Sequence, residues 1–232
     1  HRKKMNIDAF VLEKLRVVYS QESSGFMLDH FFEEGRLSVH QSSNEFLLHF
    51  DLDGSLQSIK NKNFVLEQII KGQYKGTLAG MGKKWEVYDA SVYLADMPFS
   101  VEGILNTDVP PEYEFVFSGD KLPATKLQPL LSKIGYELPE EINVQKGEVS
   151  IQGRLEALRP RPQMQILIDF SGSKLQLLAG DNELKNGFVK GRLSVNTATQ
   201  KYRVEVSRSN FQSLGGTFTG NVLLTRERQR RI

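Results

Sequence analysis

The sequence predicts an all-β chain with one short helix, and three observations lead there. Apolar and polar side chains alternate with a period of two along most of the chain, the pattern of strands with one dry and one wet face. A five-residue unit, apolar-x-Gly-x-apolar, returns six times. Only the stretch from Leu122 to Leu158 contains a helical period, and it separates two strand-rich sections.

In chain order, Leu15, Val17 and Tyr19 alternate with polar partners, and after a Ser-Gly turn Leu37 and Val39 do so again. The longest alternation follows, with Phe46, Leu48, Phe50, Leu52, Gly54 and Leu56 on one side and Glu45, His49, Asp51, Asp53 and Ser55 on the other. Tyr74, Gly76 and Leu78 lead to a Gly82-Lys-Lys turn, then to Trp85 and Val87, then to Val92 and Leu94. Phe99-Ser-Val101-Glu-Gly103-Ile-Leu105 and Tyr113-Glu-Phe115-Val-Phe117 precede the helix.

From Thr125, which serves as the cap, Leu127, Leu130, Leu131 and Ile134 fall at i, i+3, i+4 and i+7 on one helical face. Pro129 falls within the first turn or so, where its missing amide hydrogen costs little. Gly135 stops the helix, and Leu138-Pro139 re-aims the chain into a strand beginning near Glu148. In that strand Val149, Ile151, Gly153 and Leu155 oppose Glu148, Ser150, Gln152, Arg154 and Glu156. Further short strands are expected around Ile166 to Phe170, Val189 to Val195, Tyr202 to Val206 and Phe218 to Leu224. The expected division is 1–121 as a first β-repeat section, 122–146 as helix and Pro turn, and 147–232 as a second β-repeat section, read as one continuous structural unit.

The repeated unit occurs as Leu52-Asp-Gly54-Ser-Leu56, Tyr74-Lys-Gly76-Thr-Leu78, Val101-Glu-Gly103-Ile-Leu105, Ile151-Gln-Gly153-Arg-Leu155, Val189-Lys-Gly191-Arg-Leu193 and Phe218-Thr-Gly220-Asn-Val222. Interior glycine weakens a strand, so its recurrence requires a cause: bending, a bulge, or close approach of something to the dry face. A curved sheet, apolar on one side, is the expectation.

Composition narrows the function classes. Thirty Lys and Arg against 28 Asp and Glu leave a net charge of +2, which supplies no long-range attraction to nucleic acid. The basic Arg226, Arg228, Arg230, Arg231 tail reads as a solvated end. The absence of cysteine excludes disulfides and thiolate metal sites and fits cytoplasm and periplasm alike. No apolar run approaches the ~18 to 20 residues that cross a bilayer as a helix. Strand-like sequence close to both ends leads to the expectation of a segment excised from a longer protein.

Catalytic patterns are sparse. Asp51-Leu-Asp53-Gly-Ser55 is close to the Asp-x-Asp-Gly-Thr signature of haloacid-dehalogenase-type phosphatases, with Leu178-Ala-Gly180-Asp181 as a possible later magnesium-binding strand end. That chemistry needs a buried parallel strand with crossover helices, and the residues after Leu56 offer alternation and Gly turns instead. The Asp51/Asp53 pair therefore reads as the wet face of a strand. His30, His40 and His49 share no ligand spacing on a helix and read as scattered surface histidines. Neither a Gly-x-Ser-x-Gly elbow nor a phosphate-binding Gly-x-x-x-x-Gly-Lys-Ser/Thr loop is present. The expectation is a chain without enzymatic activity and without a cofactor.

The β repeats carrying apolar-x-Gly-x-apolar, the interrupting helix Lys126-Leu-Gln-Pro-Leu-Leu-Ser-Lys-Ile134, Leu138-Pro139, and then Gly147-Glu-Val-Ser-Ile-Gln-Gly153 together resemble AsmA-like proteins of the bacterial envelope, which are related to TamB. Leu15-Arg-Val-Val-Tyr19, followed by a Ser-rich turn and Phe26, is similar to a motif of the same proteins. The resemblance implies an elongated, strongly curved antiparallel sheet forming a partly open groove with a hydrophobic floor. It also implies a periplasmic location, a parent protein anchored in the inner membrane, and a role in holding or conducting lipid acyl chains between membranes.

The floor candidates are Phe46, Leu48, Phe50, Leu52, Tyr74, Val101, Val149, Ile151, Val189 and Phe218, and the helix residues Leu127, Leu130, Leu131 and Ile134 are candidates for a cap on the groove. The expected partner is phospholipid or another acyl lipid, with no nucleic acid. The competing reading is a closed structural or interaction scaffold that fills its apolar face with its own side chains.

Overall fold

The computed structural model describes residues 5–21, 26–42, 45–61, 64–66, 69–108, 112–133, 142–157, 164–196, 201–213 and 215–227. These form thirteen strands and one helix: β1 (Met5–Gln21), β2 (Phe26–Gln41), β3 (Phe46–Asn61), β4 (Phe64–Leu66), β5 (Ile70–Met81), β6 (Lys84–Leu94), β7 (Met97–Asn106), β8 (Glu112–Pro123), α1 (Ala124–Lys133), β9 (Ile142–Ala157), β10 (Gln165–Ala179), β11 (Asn182–Asn196), β12 (Lys201–Ser213) and β13 (Gly216–Glu227). The chain is all-β with one short helix, as its alternation predicts.

Two compact units divide it: His1–Phe117 with Ala157–Pro162, and Ser118–Glu156 with Gln163–Ile232. In the first unit the strands follow the order β1-β2-β3-β5-β6-β7, with β4 pairing only the end of β3. In the second they follow β9-β10-β11-β12-β13. Every described pairing is antiparallel between sequence neighbours, apart from the β3–β5 pair that bypasses β4. Such hairpin-built ladders need no crossover helices.

The strands are longer than the short runs expected from the sequence, and the reason is local. Inner-face residues are normally two apart, but at several places the spacing becomes three. Leu12 and Leu15 both face the same side of β1, as do Val87 and Ala90 of β6 and Gly172 and Leu175 of β10. The residue just before each second member has positive φ: Lys14 at 52°, Asp89 at 51° and Lys174 at 52°. Lys121 before Leu122 and Asn186 before Gly187 repeat the device, each at φ 50°. These bulges reverse the parity of the alternation without ending the strand, and they add local bend. Trp85-Val87 and Val92-Leu94, read from sequence as separate runs, are one strand for this reason.

A lysine with φ near +50° is strained, whereas asparagine tolerates that conformation. Lys174→Asn is therefore expected to raise stability by about 0.5 to 1 kcal/mol in urea unfolding. The exposed 3.6 Å ion pair from Lys174 to Glu148 that it removes offsets little of this gain.

The recurring glycines have their cause in the neighbouring strand. A Cβ at Gly80 would lie 2.6 Å from the Trp85 ring, and one at Gly76 would lie 2.6 Å from Ala90 Cβ and 3.1 Å from Phe50. Phe115 lies in the same way across Gly103, and Phe170 across Gly191. Aromatic rings laid over cross-strand glycines pack the sheet surface and let it bend. Of the three explanations open at the sequence level, close approach and bulging both operate, and what approaches is the protein's own side chains.

Buried apolar side chains are few among the described residues. Among them Val39, Ile70, Ala90, Met97, Phe99 and Ala157 are buried in the first unit, and Leu122, Ala124 and Leu175 in the second. The helix begins earlier than expected, at Ala124, so Thr125 lies in its first turn instead of capping it. Pro129 is the sixth helical residue, past the first turn, and the Thr125 carbonyl accordingly lacks its i+4 donor. Strand β9 starts at Ile142, earlier than the expected Glu148, because Gly147 continues the strand at φ 133°. Gly135, Leu138 and Pro139 lie outside the described residues.

Candidate functional site: the apolar sheet faces

Register builds an apolar face in each unit. In the first, opposite residues form rows across the strands: Val39, Leu48, Leu78, Val87 and Gly103 in one, Gly35, Leu52, Tyr74, Val92 and Phe99 in another. Phe46, Gly80, Trp85 and Leu105 make a third, in which the Phe46 and Trp85 rings meet edge to face at 5.8 Å. Phe50 lies opposite Leu37 and Gly76, and Val101 opposite Ala90. The candidates Phe46, Leu48, Phe50, Leu52, Tyr74 and Val101 thus share one face of the first unit.

In the second unit Ile151, Phe170, Gly191, Val206 and Val222 form one row, and Gly153, Ile168, Leu193 and Val204 the next. Val149 and Val189 both lie opposite Gly172, and Phe218 lies opposite Phe211. Val149, Ile151, Val189 and Phe218 belong to this face.

None of these candidates is fully buried. All are half-buried except Phe218, which is 56% exposed on β13. The chain exposes 15871 Å² in total, whereas two separate globular domains of half its 26.3 kDa would together expose roughly 12,800 Å². Among the described residues the apolar faces are left partly in contact with water.

The opposite faces carry cross-strand ion pairs, with exposed apolar side chains such as Val18, Ile104, Leu167 and Leu223 among them. Arg36, Asp51 and Lys75 stand side by side on β2, β3 and β5, with Lys75 Nζ 3.1 Å from Asp51. Arg16 donates to both carboxylate oxygens of Asp29 at 2.9 and 2.7 Å, and Arg192 to those of Asp169 at 2.7 and 3.1 Å. In both pairs the guanidinium holds the carboxyl below its ordinary range. Each sheet therefore keeps these ion pairs on one side and its apolar rows on the other.

Helix α1 is tied to the second unit by the Val144 amide, which donates to Gln128 Oε1 at 3.2 Å. Leu127 and Leu130 are half-buried. The side chain of Leu131 and the whole of Ile134 lie outside the described residues, so the proposed cap is seen only in part.

The phosphatase-like motif is not assembled. Asp51 and Asp53 sit in the middle of β3, on its polar side, and β3 is antiparallel to both β2 and β5. Asp181 occupies the turn between β10 and β11. Among the described residues no group of three or more His, Asp or Glu is placed to hold a metal ion, and no helix is long and apolar enough to cross a membrane.

One histidine departs from expectation. His40 and His49 are exposed, as read from sequence, with their rings 6.0 Å apart and His49 Nδ1 2.9 Å from Thr77 Oγ1. His30 is not a surface residue: it is 9% exposed on the apolar face, its ring 4.3 Å from Phe32 and 5.1 Å from Tyr74. The signal that places it there is parity, since Leu28, His30 and Phe32 alternate along β2 in unbroken register with β1.

What these faces can do chemically follows from their composition. They offer methyl, methylene and ring surfaces in rows and few polar partners, so they suit an extended hydrocarbon and give little recognition of a headgroup. Burial contributes ~0.8 kcal/mol per methylene, so an acyl chain laid along one row gains several kcal/mol. Comparison of the chain with protein-family models, with curated proteins and with solved structures finds no match.

Proposed function

We propose that the apolar faces bind the acyl chains of phospholipid or a similar lipid, and that the chain is a non-catalytic module of a bacterial envelope protein that holds or conducts lipid between membranes. In this reading the module works in the periplasm and its parent protein is anchored in the inner membrane, as in the AsmA-like proteins that its repeats resemble. The observation that carries it is the row-wise apolar face left half-exposed in each unit, with ion-paired polar residues confined to the other side. Soluble folds rarely leave contiguous apolar surface of more than a few hundred square ångströms without a use for it.

The aromatic rings over Gly76, Gly80, Gly103 and Gly191 support a second reading, in which the protein's own side chains fill the face and the chain is a structural scaffold. Native mass spectrometry after detergent-free purification separates the two. Phospholipid released in reproducible stoichiometry, identified after solvent extraction, is the result expected for the lipid module. A clean apoprotein that also fails to take up added phospholipid is the result expected for the scaffold.

A further inference from the structure

We propose that His30 is a proton-operated latch on the apolar face of the first unit: its neutral ring closes the space between Phe32 and Tyr74 above Gly54, and its protonated ring leaves that space and loosens the β2–β3 pairing around it. The geometry that carries this is the isolation of the ring. His30 Nε2 is buried without a hydrogen-bond partner, and it would lie 3.0 Å from a Cβ at Gly54. Its cross-strand neighbours on β1 and β3 are Val17 and Leu56, both apolar.

The surrounding charges give an imidazolium little help. Asp29, adjacent in sequence, points to the opposite face and is engaged by Arg16, with Lys60 also acting on it. From β5 the group facing His30 is the Tyr74 phenol, which burial keeps neutral by raising its pKa. Lys14 and Glu33 lie farther along β1 and β2 and are exposed.

A buried unpaired imidazolium is costly, so the ring must either stay neutral or move. Burial lowers the His30 pKa below the ordinary 6.5, against a smaller opposing effect of Asp29. The sign follows. The unfolded chain takes up its proton at higher pH than the folded one, so His30 supports the fold fully above the ordinary value, and this support is lost as pH falls through the folded value.

The test is an NMR titration of the His30 ring, combined with amide exchange at Gly54 and Leu56. The expected result is that His30 titrates below the ordinary histidine value, and that protection of these amides falls about tenfold or more between about pH 7 and pH 5. In His30→Phe, which fills the same space without titrating, that loss is absent. His30→Gln supplies the same comparison if the phenylalanine variant does not fold. Titration of His30 at or above the ordinary histidine value, a depressed titration without loss of protection, or a loss that persists in the variants each overturns the latch.

Discussion

Gly103→Val unfolds the first unit, whereas Gly220→Ala leaves the protein as it was. Both glycines occupy the centre of the same repeated motif, so sequence alone gives them equal weight. Their surroundings differ. A Cβ at Gly103 would run into the Phe115 ring and the Glu114 carbonyl oxygen, and backbone of a paired strand cannot step aside as the end of a flexible side chain can. At Gly220, on exposed β13, the nearest group is Ser209 Oγ at 3.5 Å, an ordinary contact. Overpacking of this kind costs about 3 kcal/mol or more, while Gly220→Ala is expected within ~0.5 kcal/mol of the parent. Trp85, the single tryptophan, lies on β6 in the first unit, so its fluorescence in urea reports the effect where it occurs.

Leu193→Glu is expected to abolish acyl-chain binding by the second unit while costing only about 1 to 2 kcal/mol of stability. Leu193 stands between Ile168 and Val204 in the middle of the apolar face and is half-buried. On an open face a glutamate extends past its neighbours and keeps its carboxylate in water. In a closed core the same change would bury an unpaired charge, at a cost of several kcal/mol or outright unfolding. Urea unfolding and binding of a fluorescent fatty acid, measured on the same variant, read the two effects separately. Retained folding with lost binding fits the lipid-binding face, and unfolding fits the closed scaffold.

The apolar faces were legible because a period of two survives in the sequence wherever a strand is wet on one side. Phe46 to Leu56 and Val149 to Leu155 sort onto one face by counting alone. The length of the strands was not legible, since bulges at Lys14, Asp89 and Lys174 invert the count and imitate turns, and lysine gives no hint of positive φ. The glycine repeat announced that something comes close, but the identity of the approaching group depends on register, which pairs Gly76 with Phe50 and Gly80 with Trp85 across strands. His30 escaped for a related reason. A polar residue in an apolar row looks like surface until the partners on both sides, Val17 and Leu56, are known. The leucines reveal the helix but not its start, since Ala124 opens it without a polar residue to mark the place.

Site-specific photo-crosslinking tests the lipid reading most directly. A benzophenone amino acid is placed at position 48 on the apolar face of β3, and in a second protein at position 51 on its polar face, three residues along the same strand. Irradiation in cells expressing each protein, followed by mass spectrometry of the purified adducts, is expected to attach lipid at position 48 and none at position 51. Equal labelling at both positions, or none at position 48 in a protein shown to be folded, would contradict the assignment of that face to acyl chains.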